Sequence, residues 1–213
     1  MSSDALIDSL VDDLRPVPRP NVGRLIAILA GLATIELVGF LALGNMRPDI
    51  GAAVARTAFW WKMGGLGILA LLGVAVALRS FDPVSTPRKG LHRWAFMLAG
   101  ILLFGVGLNF VGQGLDSFGA RLMWRMGIHC LTVMTLLSVP PLIALALMMR
   151  GGAPTDRQTS AVVVGLAAAA WGAFIFAFHC PSDDPLYIIF WYALGCAAIT
   201  LLARAILPST SRW

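Results

Sequence analysis

Residues 161–203 read AVVVGLAAAAWGAFIFAFHCPSDDPLYIIFWYALGCAAITLLA. Two uncharged apolar runs, residues 161–179 and 186–203, flank a short polar hinge that holds Pro181, Asp183, Asp184 and Pro185. Each run approaches the roughly 20 apolar residues that a helix needs to cross a bilayer core. The pair therefore reads as two antiparallel spans joined by a tight turn. Working outward, four more uncharged runs precede it, at residues 25–46, 63–78, 94–115 and 128–149, the first interrupted by Glu36. The 213 residues are 58% hydrophobic and 13% charged, against roughly 45–50% apolar and 25% charged in a soluble domain. The expected fold is an all-α, polytopic membrane bundle of six transmembrane helices with a short cytoplasmic amphipathic helix at the N-terminus. Residues 1–23 form the leader, 24–207 the transmembrane domain and 208–213 a short cytoplasmic tail.

The net charge of +5 does not mark a nucleic-acid binder, because Lys and Arg sit at the ends of the apolar runs, where they act as topology signals. With the N-terminus inside, eleven basic residues fall in cytoplasmic segments. Arg47, Arg56, Lys62, Arg121 and Arg125 fall outside. This bias favours both termini in the cytoplasm. Residues 1–14 hold Asp4, Asp8, Asp12 and Asp13 and no Lys or Arg, the reverse of a cleavable signal's basic start. The second run is short, so Lys62 and Arg79 are expected to snorkel to the headgroups. Pro140 and Pro141 should bend the fourth span. Trp60, Trp61, Trp94, Trp124 and Tyr187 lie near span ends, where rings anchor at the interface. Gly23, Ala27 and Gly31 form a small-residue stripe on the first helix that admits another helix closely.

In the leader, Leu6, Ile7, Leu10, Val11 and Leu14 share one apolar helical face, with the four Asp on the remaining surface. Ser3 caps this helix and Pro16 ends it. It is too short to stand alone in water, so it folds on a partner. Four negative charges argue against an anionic lipid surface. A groove with a basic rim on a protein fits better.

His129-Cys130 opens the fourth span and His179-Cys180 closes the fifth, so both pairs reach one membrane face, extracytoplasmic on this topology. Three readings are open there. The cysteines can form a disulfide if their Cα atoms approach within about 4.4–6.8 Å. The four side chains, with Asp183, can bind a soft metal such as zinc or cadmium, but neighbouring helical residues point about 100° apart, so convergence needs an unwound helix end. Two packed thiols beside hydrogen-bonded imidazoles is the third. Cys196, deep in the sixth span, reads as packing. Glu36 is the one acidic residue well inside a span, a functional candidate by default, with Asn109 and Gln113 as expected partners. No HExxH, GxSxG, P-loop or CxxC pattern occurs, so no enzyme and no required cofactor is expected.

The leader LIDSLVDDLRPV at 6–17, FWWK at 59–62, HCPSDDP at 179–185, WY at 191–192 and the closing RW together resemble the NrsF-type membrane anti-sigma factors. The resemblance spans essentially the whole chain. It departs at the tail, where Pro208-Ser-Thr-Ser replaces a more basic, helical ending. It implies a cytoplasmic leader, here Leu6, Leu10, Asp13, Leu14 and Pro16, that holds an extracytoplasmic-function sigma factor inactive, with no direct contact to nucleic acid. It also implies two periplasmic-side cysteines, here Cys130 and Cys180, needed for the response to metal or oxidative stress. The alternative is a small metal or proton-coupled transporter using Glu36 and the His-Cys pairs.

Overall fold

The computed structural model describes residues 11, 21–44, 46–112 and 118–210. Val11 is helical and exposed. Leu6, Ile7, Leu10, Asp13, Leu14 and Pro16 lie outside the described residues, as do Gln113 and the closing Arg212 and Trp213.

The described chain is helical throughout, and six of its helices are long and apolar enough to cross a membrane: α1 (Val22–Ala42), α3 (Thr57–Ser80), α4 (Pro87–Gly112), α6 (Trp124–Gly151), α7 (Arg157–Ala177) and α8 (Pro185–Thr210). Two four-residue helices, α2 (Ile50–Ala53) and α5 (Phe118–Arg121), lie in connections. Side chains cap three of the described helices, among them α8, where Asp184 accepts from the Leu186 amide at 3.0 Å. Asn21 accepts from the Arg24 amide at 3.2 Å to start α1, and Asp156 accepts from the Thr159 amide at 3.0 Å to start α7. The second span begins at Thr57, six residues earlier than the apolar run, and so is long enough without help from Lys62. The sixth continues through Pro208 to Thr210. Pro140 and Pro141 lie inside α6, which runs unbroken across them.

The helix at the centre is α7, with 78% of its spanning window buried, packed against α3, α6 and α8. Its composition explains why. Lipid tails are as apolar as side chains, so close backbone packing must drive helix association, and small residues permit it. A Cβ on Gly172 would stand 2.7 Å from the Ser138 amide nitrogen of α6. One on Gly165 would stand 2.8 Å from the Thr200 Cα of α8. On the third side, a Cβ on Gly73 of α3 would stand 2.9 Å from the Ala167 Cα. Three helices thus approach α7 almost to backbone contact.

The outermost span is α1, which has no buried residue. Gly23, Ala27 and Gly31 are all exposed, so no other described helix covers their stripe. Of the five residues expected at the interface, Trp60 and Trp124 are exposed. The other three serve the interior. Trp61 donates to the Ile101 carbonyl at 2.8 Å, Trp94 to the Leu69 carbonyl at 2.9 Å, and Tyr187 is fully buried. A buried indole N–H needs a partner, and helix carbonyls supply it.

Candidate functional site

Three connections meet at the end of the bundle where α1 finishes: described residues 46–56, residues 118–123 before α6, and residues 178–184 between α7 and α8. Antiparallel alternation puts the start of α6 there as well. Cys130 sits in the second turn of α6 and Cys180 in the 178–184 loop, and both are free and buried. Both belong to one buried cluster with Tyr187 and Tyr192. The Cys130 sulfur lies 3.0 Å from the Tyr187 hydroxyl, and the buried Tyr192 hydroxyl has no hydrogen-bond partner among the described residues.

The His-Cys pairs split, His129 and Cys130 by the 100° step within α6, His179 and Cys180 by the turn that follows α7. The thiols point inward, while exposed His129 and half-buried His179 lie on the outer side, ring centres 6.2 Å apart. His179 also packs on Phe40 of α1 at 6.1 Å and on Phe176 at 5.7 Å. Among the described residues, no three of His, Cys, Asp or Glu converge in a way that could hold a metal. The two sulfurs alone suit a soft, thiophilic ion better than tetrahedral zinc, which wants four ligands.

Asp183 faces a different task. Arg47 reaches its carboxylate at 2.7 and 3.1 Å, Lys62 at 2.8 Å and Arg56 at 2.9 Å. A further cation there would meet three positive neighbours. Arg47 also pairs with Asp49 at 2.7 Å and donates to the Pro181 carbonyl at 2.8 Å. Lys62 donates to the carbonyls of Cys180 at 3.2 Å and Ser182 at 3.0 Å. The side chains of Arg47 and Lys62 are 0% exposed, so this is a buried ion cluster built around the cysteine loop. Lys62 does not snorkel; it turns inward because its hydrogen-bond partners are there. Beside the cluster, Arg121 bridges Asp184 and Asn109.

Burial opposes ionisation of Asp183, but hydrogen bonds from Arg47 and Lys62 outweigh it and hold its pKa below the usual carboxylate range. Asp49 is held down by the Arg47 guanidinium in the same way. The Cys180 thiol lies below its ordinary value, chiefly because Cys130 donates to the thiolate, with help from the Lys62 ammonium. A thiolate is the nucleophilic and metal-binding form.

Sequence reading missed Arg47, Asp49 and Lys62 as site residues, since single charges at span ends look like topology signals. The available hint was Lys62 flanked by Trp61 and Met63, a cation already inside an apolar stretch. Glu36 does not meet Asn109. Its Oε2 accepts from Trp171 Nε1 at 3.0 Å, and its buried Oε1 has no hydrogen-bond partner among the described residues.

The family model described as negative regulator of sigma F matches residues 10–213. The chain belongs to the NrsF family. The anti-sigma-F factor NrsF of Caulobacter vibrioides is 29% identical over 209 residues, covering 95% of both chains. The probable anti-sigma-F factor NrsF of Azospira oryzae is 26% identical over 221 residues, covering both chains fully. No solved structure matches. Membership in the NrsF family makes the chain a negative regulator of a sigma factor, and its six apolar helices are those of a multi-pass membrane protein.

Proposed function

We propose that this chain is an inner-membrane anti-sigma factor whose cysteine pair senses soft metals or oxidants and whose leader holds an extracytoplasmic-function sigma factor. The observation that carries the sensing part is that Cys130 and Cys180 are free thiols buried in one cluster at the end of the bundle opposite the start of α1. Two thiols so placed, one inclined to ionise, either bridge a soft ion or lose two electrons and two protons to an oxidant and close a disulfide. Either event changes the loop that holds Cys180. Topology supports an outward site: of the five basic residues at that end, Arg47, Arg56, Lys62 and Arg121 are already paired with Asp49, Asp183 or Asp184. The basic excess at the other end then marks the cytoplasm.

On the cytoplasmic side, Leu6, Ile7, Leu10, Val11, Asp13, Leu14 and Pro16 form the holding element. The ligand or oxidant must favour the releasing conformation; tenfold release needs about 1.4 kcal/mol of differential stabilisation. The test is a sigma-dependent reporter in cells carrying serine at both positions 130 and 180. Loss of the response to cadmium and to diamide, with repression intact, supports the reading, and an unchanged response refutes it.

A further inference from the structure

The span that leads directly into the leader is also the one least attached to the bundle. Helix α1 has no buried residue, whereas α7 is nearly all interior. Beneath α1 lies an apolar gap of about 160 Å³, lined by Ile26, Leu29, Leu32 and Ala33 from α1 and by Pro141 and Leu145 from α6, among others. Interiors are normally packed with few voids larger than a water molecule, so this helix rests on its neighbours without filling the space under it. Moving it breaks few contacts.

Its specific attachments are few and polar or aromatic. Midway, Glu36 accepts from Trp171, and near the end Phe40 meets His179. Just past the end comes Arg47, which three acceptors of the 178–184 loop hold besides Asp49. Its amide donates to the Phe178 carbonyl at 3.0 Å, and its guanidinium donates to the Pro181 carbonyl at 2.8 Å and to Asp183 at 2.7 Å. Positions 178, 181 and 183 surround Cys180 in sequence. A loop gripped at three points by one side chain and its backbone cannot reshape without moving that residue or releasing it.

We infer that Arg47 couples the Cys180 loop to α1, and that the docking of α1 on the bundle is what differs between the sigma-holding and sigma-releasing states. With the thiols reduced, Arg47 grips the loop and α1 stays docked. When a metal or a disulfide ties Cys180 to Cys130, the loop carbonyls at 178 and 181 shift, the grip loosens, and α1 moves over its gap. The displacement passes along α1 to Val22, where the leader joins it. This deepens the function proposed above and rests on Cys130 and Cys180 being the sensing pair.

The test places the photo-crosslinking residue benzoylphenylalanine at position 32, facing the gap, in the full-length chain in native membranes. Crosslinked peptides between α1 and α3 or α6 are quantified by mass spectrometry. In the reduced wild-type chain crosslinks form, and cadmium or diamide lowers their yield several-fold. Arg47→Gln lowers the yield to the same level without either treatment and raises the sigma-dependent reporter. Arg47→Lys, which keeps a cation for Asp183 but loses the forked grip, falls between; membrane abundance of both variants confirms insertion. If treatment consumes both thiols and the wild-type yield does not change, or if Arg47→Gln leaves the yield and its response intact, the inference is overturned. Crosslinks that respond as expected while no sigma factor is held in any state leave the coupling standing and defeat the anti-sigma reading instead.

Discussion

Replacing Asp183 by Asn removes the charge around which the ion cluster is built, and the geometry says which neighbour suffers. Arg56 is 46% exposed and finds water. Arg47 keeps both hydrogen bonds to Asp49, at 2.7 and 2.8 Å. Lys62 keeps only two carbonyls and has no exposed surface. The loss therefore falls mainly on one stranded ammonium, and breaking a buried pair this way costs roughly 3–5 kcal/mol. Adding Lys62→Met removes the stranded charge, so the double variant should be more stable than the sum of the two single losses predicts, with a coupling of about 0.5–3 kcal/mol. Equilibrium unfolding by increasing dodecyl sulfate in mixed micelles, followed by tryptophan fluorescence, measures all four proteins of the cycle. A loss for Asp183→Asn below about 1 kcal/mol, the size of an exposed pair, or strict additivity in the cycle, would refute the claim that the cluster is buried and coupled.

Two further outcomes follow from packing and from charge. Gly172→Ala should destabilise by about 1–3 kcal/mol, because its Cβ would meet α6 backbone, whereas Gly31→Ala, with open space around it, should be neutral or gain up to about 1 kcal/mol of helix propensity; the same unfolding assay reads both. The depressed pKa of Asp183 means its contribution to stability is fully present above the ordinary carboxylate pKa and disappears only as pH falls through the lowered folded value. Acid unfolding of the wild-type chain should therefore show a loss of stability below the usual carboxylate range that is absent in Asp183→Asn.

The six spans were legible because each is a long uncharged run, and a bilayer tolerates little else. The meeting of Cys130 and Cys180 was legible to the level of a shared membrane face, since helix direction alternates. Their burial in one cluster was not, because it depends on how closely α6 approaches α7, which the small residues Gly172 and Ser138 decide. The split of His129-Cys130 into inner thiol and outer imidazole follows from helical geometry that the sequence already contained, whereas that of His179-Cys180 depends on the turn after α7. The ion cluster was hidden for another reason: Asp183 is 136 residues from Arg47 and 121 from Lys62, and nothing local distinguishes a cation that snorkels from one that turns inward. Trp94 and Tyr187 were misplaced at the interface for the same reason. Proximity to a span end does not say which way a ring faces.

Whether this protein holds a sigma factor through its leader is measured by co-purification from native membranes in mild detergent, comparing the full-length chain with one lacking residues 2–16. A sigma factor is expected with the first and none with the second, at equal recovery of the membrane protein. A sigma factor retained by both would move the holding surface away from the leader, and none retained by either intact protein would contradict the proposed holding itself.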